Sequence, residues 1–196
     1  MSKSMKGKLI LILGGARSGK SKFAEKVAVS LGGKITYIAT AAPLDKEMAE
    51  RIRLHQASRP GDWQTVEEQK NVAEVILNGR KGDVFLLDCI TLWLTNMLLD
   101  EQLPGTGATR SEKEMFILAQ AARLAEGVKS GAHLVVVSNE VGMGIVPDAS
   151  LGRTFRDLAG KVNQVLAGKA DRVYLVIAGL PLELKATAGT GFELDL

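Results

Sequence analysis

Short runs dominated by Val, Ile and Leu recur along the chain at Lys8 to Leu13, Lys34 to Thr40, Asp83 to Asp88, His133 to Ser138 and Arg172 to Ala178. Runs of this length without polar alternation predict strands buried on both faces. Between them apolar residues return every three or four positions, as at Phe23, Val27 and Leu31, or at Leu151, Phe155, Leu158, Val162 and Leu166. That spacing predicts helices with one stripe turned to a core. Strands alternating with such helices imply right-handed crossovers, a mainly parallel sheet and helices on both of its faces, so the expected fold class is α/β. Sheets of this kind hold ligands beyond the carboxyl ends of their strands. The segments starting at Gly14, Thr40, Asp88, Asn139 and Gly179 are therefore expected to converge there. The stretch Leu103 to Arg110, with Pro104, Gly105 and Gly107, reads as a surface loop inside one domain spanning residues 1–196.

Composition narrows the partners. The 196 residues are 46% hydrophobic and 24% charged, enough to bury one substantial core. A net charge of +3 is spread without a long basic block, which favours anionic small molecules over nucleic acid. The single cysteine, Cys89, sits in an apolar run, so neither a disulfide framework nor a CxxC metal signature is present, and a reducing cytoplasm is expected. The opening MSKSMKGKLILILGG places basic residues before an apolar run, but Leu9 to Leu13 is too short for a signal peptide and no small-residue cleavage site follows. It reads as a first strand, and no stretch approaches the roughly 18 apolar residues that would insert into a membrane.

Directly after that strand, GGARSGKS fits GxxxxGK[ST] and runs into a helical pattern, the context in which this motif binds phosphate. A chance match in a chain this long is on the order of one in a hundred. The backbone of Gly14, Gly15, Ala16, Arg17, Ser18 and Gly19 is expected to wrap phosphate oxygens, with the positive end of the helix aimed at them. Lys20 adds charge between the β- and γ-phosphates, and Ser21 is placed to hold Mg²⁺ together with Asp88, the carboxylate ending VFLLDC. Taken alone, Asp88 is equally read as a capping or strand-end carboxylate. The end of the fourth predicted strand reads SNEVG and lacks the NKxD element of a signalling GTPase. Small-molecule kinases and ATP-gated assembly proteins both remain open.

From Leu44 to Ser58 the stripe Leu44, Met48 and Ile52 predicts a helix stopped by Arg59, Pro60 and Gly61. His55 falls three residues after Ile52, at the edge of that stripe, and periodicity by itself favours a packed structural histidine. Arg51, Arg53 and Arg59 read as a solvated helix face, and Trp63 as a packing residue.

The segment RIRLHQASRPGDWQTVE, Arg51 to Glu67, resembles the RIxxHxxxRPxxWxTxE signature of the bifunctional adenosylcobinamide kinase/adenosylcobinamide-phosphate guanylyltransferases. The resemblance continues in order through GGARSGKS, YIAT (Tyr37 to Thr40), LLDCITLWLTN (Leu86 to Asn96), NEVGMGIVP (Asn139 to Pro147), FRDLAGKVNQ (Phe155 to Gln164) and AGLPLELK (Ala178 to Lys185). It implies a RecA-like P-loop NTPase that phosphorylates adenosylcobinamide with a nucleoside triphosphate, ATP or GTP. GMP then passes from GTP through a guanylyl-histidine on His55, giving adenosylcobinamide-GDP. By the same resemblance Thr40, Arg59 and Glu67 contact nucleotide, Glu67 accepting from guanine, and the assembly is a homotrimer. The choice of Glu67 over the adjacent Glu68 rests on that spacing alone. Asn139, Glu140, Gly142 and Gly144 read as a loop over the active site or as a plain strand-to-helix turn. Arg153, Arg156 and Asn163 share the polar side of their helix, a position from which to meet the corrinoid or a neighbouring subunit, and His133 reads as structural. The rival readings are a single-function small-molecule P-loop kinase, with His55 structural, and a nucleotide-gated assembly protein without catalysis.

Overall fold

The five apolar runs become five parallel strands at the centre of a seven-stranded sheet ordered β3-β2-β4-β5-β1-β6-β7. The computed structural model describes residues 6–42, 50, 53 and 61–187. Along the chain come β1 (Leu9–Gly14), α1 (Lys20–Leu31), β2 (Ile35–Ala39), β3 (Gln64–Glu67), α2 (Val72–Leu77), β4 (Val84–Asp88) and α3 (Ile90–Leu99). They are followed by α4 (Arg110–Leu124), a 3-10 turn (Gly127–Ser130), β5 (His133–Asn139), α5 (Ser150–Lys169), β6 (Arg172–Ile177), β7 (Leu180–Glu183) and α6 (Leu184–Thr187). Among the described strands only β7 runs antiparallel, folded back on β6.

Successive side chains of β1 divide between two cores, as a strand's period of two requires. Leu9, Leu11 and Leu13 pack on one face with Ile76, Trp93, Ile117 and Leu166 from α2, α3, α4 and α5. Ile10 and Ile12 pack on the other with Ala24 and Ala28 of α1. Each fully buried Leu or Ile of this kind contributes roughly 1.5–3 kcal/mol, so the sheet centre is the most strongly fixed part of the molecule. In α1 the two alanines make the closest approach, while Phe23, Val27 and Leu31 lie partly buried along its flanks. In α5 the stripe is buried at Leu158, Val162 and Leu166, but Leu151 at its start is 53% exposed.

Two strands carry no apolar run. β3 pairs with the outer side of β2, and β7 closes the opposite edge. Both are exposed along most of their length, so neither needs a hydrophobic pattern. The register aligns the carboxyl ends: Gly14 is level with Asn139 and Val176, Asp88 with Ala39 and Val137, and Ala39 with Glu67. No helix among the described residues is long and apolar enough to cross a membrane.

Candidate active site

The turn between β1 and α1 is held from below by two glycines. A Cβ on Gly14 would lie 2.5 Å from Ser18 Oγ and 2.7 Å from the Val176 carbonyl oxygen, so only hydrogen fits. Gly19 takes φ 93° and its missing Cβ would sit 3.2 Å from Gly179 Cα. Gly179 in turn donates its N–H to the Ser18 carbonyl at 2.8 Å, so the segment after β6 supports the loop. Positive φ at Arg17 and Gly19 curls the chain into the concave shape that gathers backbone N–H groups around an anion. Gly15, Ala16, Arg17 and Gly19 are exposed, and Gly19 at the N-cap brings no side chain to accept from the first-turn amides of α1. Those donors face the open end of the helix, where its dipole favours negative charge. Lys20 is buried and donates from Nζ to the Gly15 carbonyl at 3.0 Å, folding its ammonium back over the loop. Ser18 Oγ is buried without a hydrogen-bond partner among the described residues. Such a hydroxyl costs about 1–3 kcal/mol, which the surrounding contacts must offset.

Asp88 ends β4 on the same edge, with β5 between it and β1. The Tyr37 hydroxyl, 2% exposed, donates to Asp88 Oδ2 at 3.0 Å and fixes the carboxylate's direction. Thr40 is fully buried; its hydroxyl donates to the Cys89 carbonyl at 2.8 Å and accepts from the Cys89 N–H at 2.9 Å. Its carbonyl accepts from Asn96 Nδ2 at 2.8 Å. Thr40 is thus engaged in holding the chain at Asp88 and Cys89. Burial, reinforced by the negative charge of Asp88, pushes the Cys89 thiol up from its ordinary value, which keeps it a neutral core group. Ser21 lies on the first turn of α1, half-buried.

On the outer flank, Glu67 ends β3 level with Ala39 and is exposed, whereas the Glu68 carboxylate accepts from the N–H groups of Lys70 and Asn71, both at 2.8 Å. Glu68 is engaged in the turn before α2, while Glu67 stands at the carboxyl end of β3, level with the end of β2. Trp63 packs against the core on the α1 side of the sheet. His55 and Arg59 lie outside the described residues, as do Arg51 and most of the expected Leu44 to Ser58 helix. Arg53 pairs with Glu50 at 2.6 Å on an exposed face, in keeping with a solvated arginine.

Residues 140–149, without regular structure, leave β5 beside the phosphate loop, the Glu140 N–H donating to the Gly14 carbonyl at 3.1 Å. Arg153 donates to the Pro147 carbonyl at 3.0 Å and to that of Asp148, so it secures this segment. Asn163 departs from expectation: it is 7% exposed, accepts from Ser138 Oγ at 2.7 Å and donates to the Asn139 carbonyl at 3.4 Å. A side chain buried against β5 has no access to a corrinoid or a second subunit. Asn139 Nδ2 donates to Thr91 Oγ1 at 2.6 Å, and Thr91 also contacts the Cys89 thiol, tying α3, β5 and α5 behind the site. His133 starts β5, at the end of the sheet opposite the site, and accepts from the Lys8 N–H at its Nδ1, 3.1 Å away, as a structural histidine does. Tyr37, Thr91 and Gly179 escaped the sequence reading as functional supports, although each falls inside or next to a block quoted above.

Residues 10–184 match the protein family described as cobinamide kinase / cobinamide phosphate guanyltransferase. The chain is 40% identical to the bifunctional adenosylcobalamin biosynthesis protein CobU of Escherichia coli, over 90% of this chain and 99% of that one. It is 42% identical to the bifunctional adenosylcobalamin biosynthesis protein CobP of Pseudomonas aeruginosa, over 89% and 96% of the two chains. Among solved structures, an ATP synthase subunit of Nanoarchaeum equitans, NeqB, superposes with a TM-score of 0.57 at 13% identity, covering 95% of this chain and 52% of that one. An ATPase from the type III secretion system of pathogenic bacteria gives 0.56 at 12%, covering 92% and 58%. The chain therefore spans little more than half the length of either ATPase, and at such identity the likeness establishes the P-loop ATPase-like fold alone.

Proposed function

The chain belongs to the cobinamide kinase / cobinamide phosphate guanyltransferase family, and we propose that both of its transfers use the nucleotide site built on β1 and β4. It is a transferase of adenosylcobalamin biosynthesis. What supports a shared site is the convergence of the phosphate loop, Asp88 and Glu67 on one sheet edge.

In the first reaction the hydroxyl oxygen on the aminopropanol arm of adenosylcobinamide attacks the γ-phosphorus of ATP or GTP. The bond to the β-phosphate oxygen breaks, the nucleoside diphosphate leaves, and the hydroxyl proton passes to solvent. In the second, a neutral imidazole nitrogen of His55 attacks the α-phosphorus of GTP and pyrophosphate departs. The new phosphate oxygen of adenosylcobinamide phosphate then displaces His55 from phosphorus, giving adenosylcobinamide-GDP. Lys20 and the amides from Gly14 to Ser21 stabilise the charge that builds on the transferring oxygens. Arg59 assists at the α-phosphate or ribose, Thr40 positions the chain at Asp88, and Glu67 accepts from guanine N1–H and N2–H, donors that adenine lacks.

Ser21 and Asp88 supply one hydroxyl and one carboxylate, hard oxygen donors that suit Mg²⁺, which takes few protein ligands and completes its shell with phosphate and water. They are the residues that would hold it, and the ion would neutralise phosphate charge. A homotrimer in the cytoplasm belongs to the same reading; a trimeric mass in sedimentation equilibrium is the expected result.

The decisive test is incubation of the purified chain with Mg²⁺ and α-³²P-labelled GTP. The expected label is covalent, acid-labile, base-stable and absent from His55→Ala, which keeps much of its phosphoryl transfer. No label on a chain that binds GTP, or equal loss of both activities in a folded His55→Ala protein, would rule out the histidine route.

A further inference from the structure

Two cavities meet where α3 ends and α5 begins. One, of about 300 Å³, is apolar and lined by Leu98, Leu99, Leu151 and Phe155, with Thr95 at its side. The other, of about 460 Å³, opens beside Thr109, Ser150 and Thr154 and the charged Arg110, Lys113 and Glu114. Leu98 and Leu151 border both, so they form one continuous trough. We infer that this trough is the acceptor subsite, holding the corrin macrocycle of adenosylcobinamide; the inference rests on the function proposed above.

Three observations converge on that occupant. The first is chemistry: an apolar floor suits the faces of a large macrocycle, and the polar side chains along the second cavity, among them Thr109, Arg110, Glu114 and Ser150, suit the amide groups around its edge. The second is reach. The Thr95 hydroxyl donates to the Thr91 carbonyl at 2.9 Å, Thr91 Oγ1 accepts from Asn139 at 2.6 Å, and Asn139 is level with Gly14 of the phosphate loop. One turn of α3 and one residue of β5 thus connect the trough to the phosphate loop of the proposed nucleotide site, and the aminopropanol arm of the substrate would cross between them. The third is the surface between them. Residues 140–149 run from the phosphate loop to the start of α5 and present Met143, Ile145 and Val146 at 81%, 96% and 55% exposure. Gly152 packs against Pro147, where a Cβ would come within 2.8 Å, and Arg153 bonds the Pro147 carbonyl, so this apolar bridge is anchored at the trough. Small apolar-lined pockets with a few placed polar groups are the usual form of a ligand site.

Leu99 and Leu151 are each 53% exposed, so an aspartate at either position leaves the core intact. The test compares the intact chain with Leu99→Asp and Leu151→Asp in three measurements: the KM for adenosylcobinamide in the kinase reaction, self-guanylylation by GTP alone, and mass in solution. The expected result is a rise in corrinoid KM of at least about tenfold, with the KM for nucleotide, the GTP-only labelling and the mass all at wild-type values. An unchanged corrinoid KM in both variants of an active enzyme would overturn the assignment and leave the proposed function standing. A changed mass with corrinoid KM intact would assign the trough to a second copy of the chain, also overturning it. A wild-type chain that turns over no adenosylcobinamide would fail the functional reading, and this inference with it.

Discussion

In the proposed function the centre of the sheet edge and its outer flank serve the same nucleotide, and they are built by different physical means. At the centre, Gly14 and Asp88 end strands buried on both faces and Lys20 opens the helix after β1, and close contacts set each: Val176 and Gly179 under the loop, Gly15 on the lysine, Tyr37 on the aspartate. On the flank, Glu67 ends an edge strand that is exposed at three of its four positions. The geometry of phosphate is the same in every nucleotide, so the part that handles it gains from rigidity. The parts proposed to read the base and to hold the acceptor are built on surface residues that change without disturbing the core.

The largest expected effect falls at the centre. Lys20→Ala should lower both phosphoryl and guanylyl transfer by roughly 10²- to 10³-fold, the scale of losing a preorganised positive group at a transferring phosphate. Rates of both half-reactions with saturating substrates measure it. A loss confined to one reaction would show that the two do not share the cradle.

On the flank, Glu67→Gln should lower discrimination for GTP over ATP in the labelling step by about tenfold to a hundredfold, the worth of a charge-assisted pair to the base. Glu68→Gln, removing a carboxylate already engaged with the Lys70 and Asn71 amides, should leave discrimination intact and lower stability by about 1 kcal/mol. Competition between the two nucleotides and urea denaturation separate these outcomes. A reversed pattern would move base recognition to Glu68.

Tyr37→Phe sharpens the comparison further inward. The ring stays in its buried place and only the donor to Asp88 is lost, so kcat should fall about tenfold and the Mg²⁺ concentration for half-maximal rate should rise, while GTP binding holds. A Mg²⁺ titration of the variant against the parent reads both quantities; a purely structural role for Tyr37 would shift the melting point and leave the Mg²⁺ dependence where it was.

The same division governs what the sequence revealed. The five central strands were legible because burial on both faces demands unbroken apolar runs, and their ends lie within about two residues of the runs read in sequence. QTVE and LPLE, the edges β3 and β7, bury little and so carry no such signature; Pro181 argues against a strand except at an edge, where it stands. The phosphate loop was legible because glycine is irreplaceable at Gly14 and Gly19. The bonds Tyr37 to Asp88, Asn139 to Thr91 and Ser138 to Asn163 join residues 51, 48 and 25 positions apart, and no local period encodes them. Asn163 was misplaced for that reason: helical spacing groups it with Arg153 and Arg156, but the buried Ser138 hydroxyl draws it inward. One signal was readable and passed over. Thr109 and Glu112 form a capping box that marks the start of α4 after an otherwise uninformative loop.

The smallest effect lies at the amino-terminal end of β5, opposite the site, where His133 bears on folding. Burial, helped by the charge of Lys8, holds its imidazole below the ordinary histidine range, and the Lys8 N–H donating to Nδ1 requires the neutral form. A histidine whose folded pKa is depressed binds its proton more readily when unfolded. Its contribution to stability is therefore complete above an unfolded pKa of about 6.5 and is lost as the pH falls through the folded value. His133→Asn retains an acceptor for the Lys8 amide without a titratable ring, so the fall in unfolding free energy between about pH 7 and pH 5 should be shallower in the variant than in the parent. Because the residue is partly open to solvent, the difference should stay under about 1 kcal/mol and leave both transfer reactions at neutral pH untouched. An identical pH dependence in the two proteins would show that the strand register at β1 and β5, and not the histidine bond, fixes this end of the sheet.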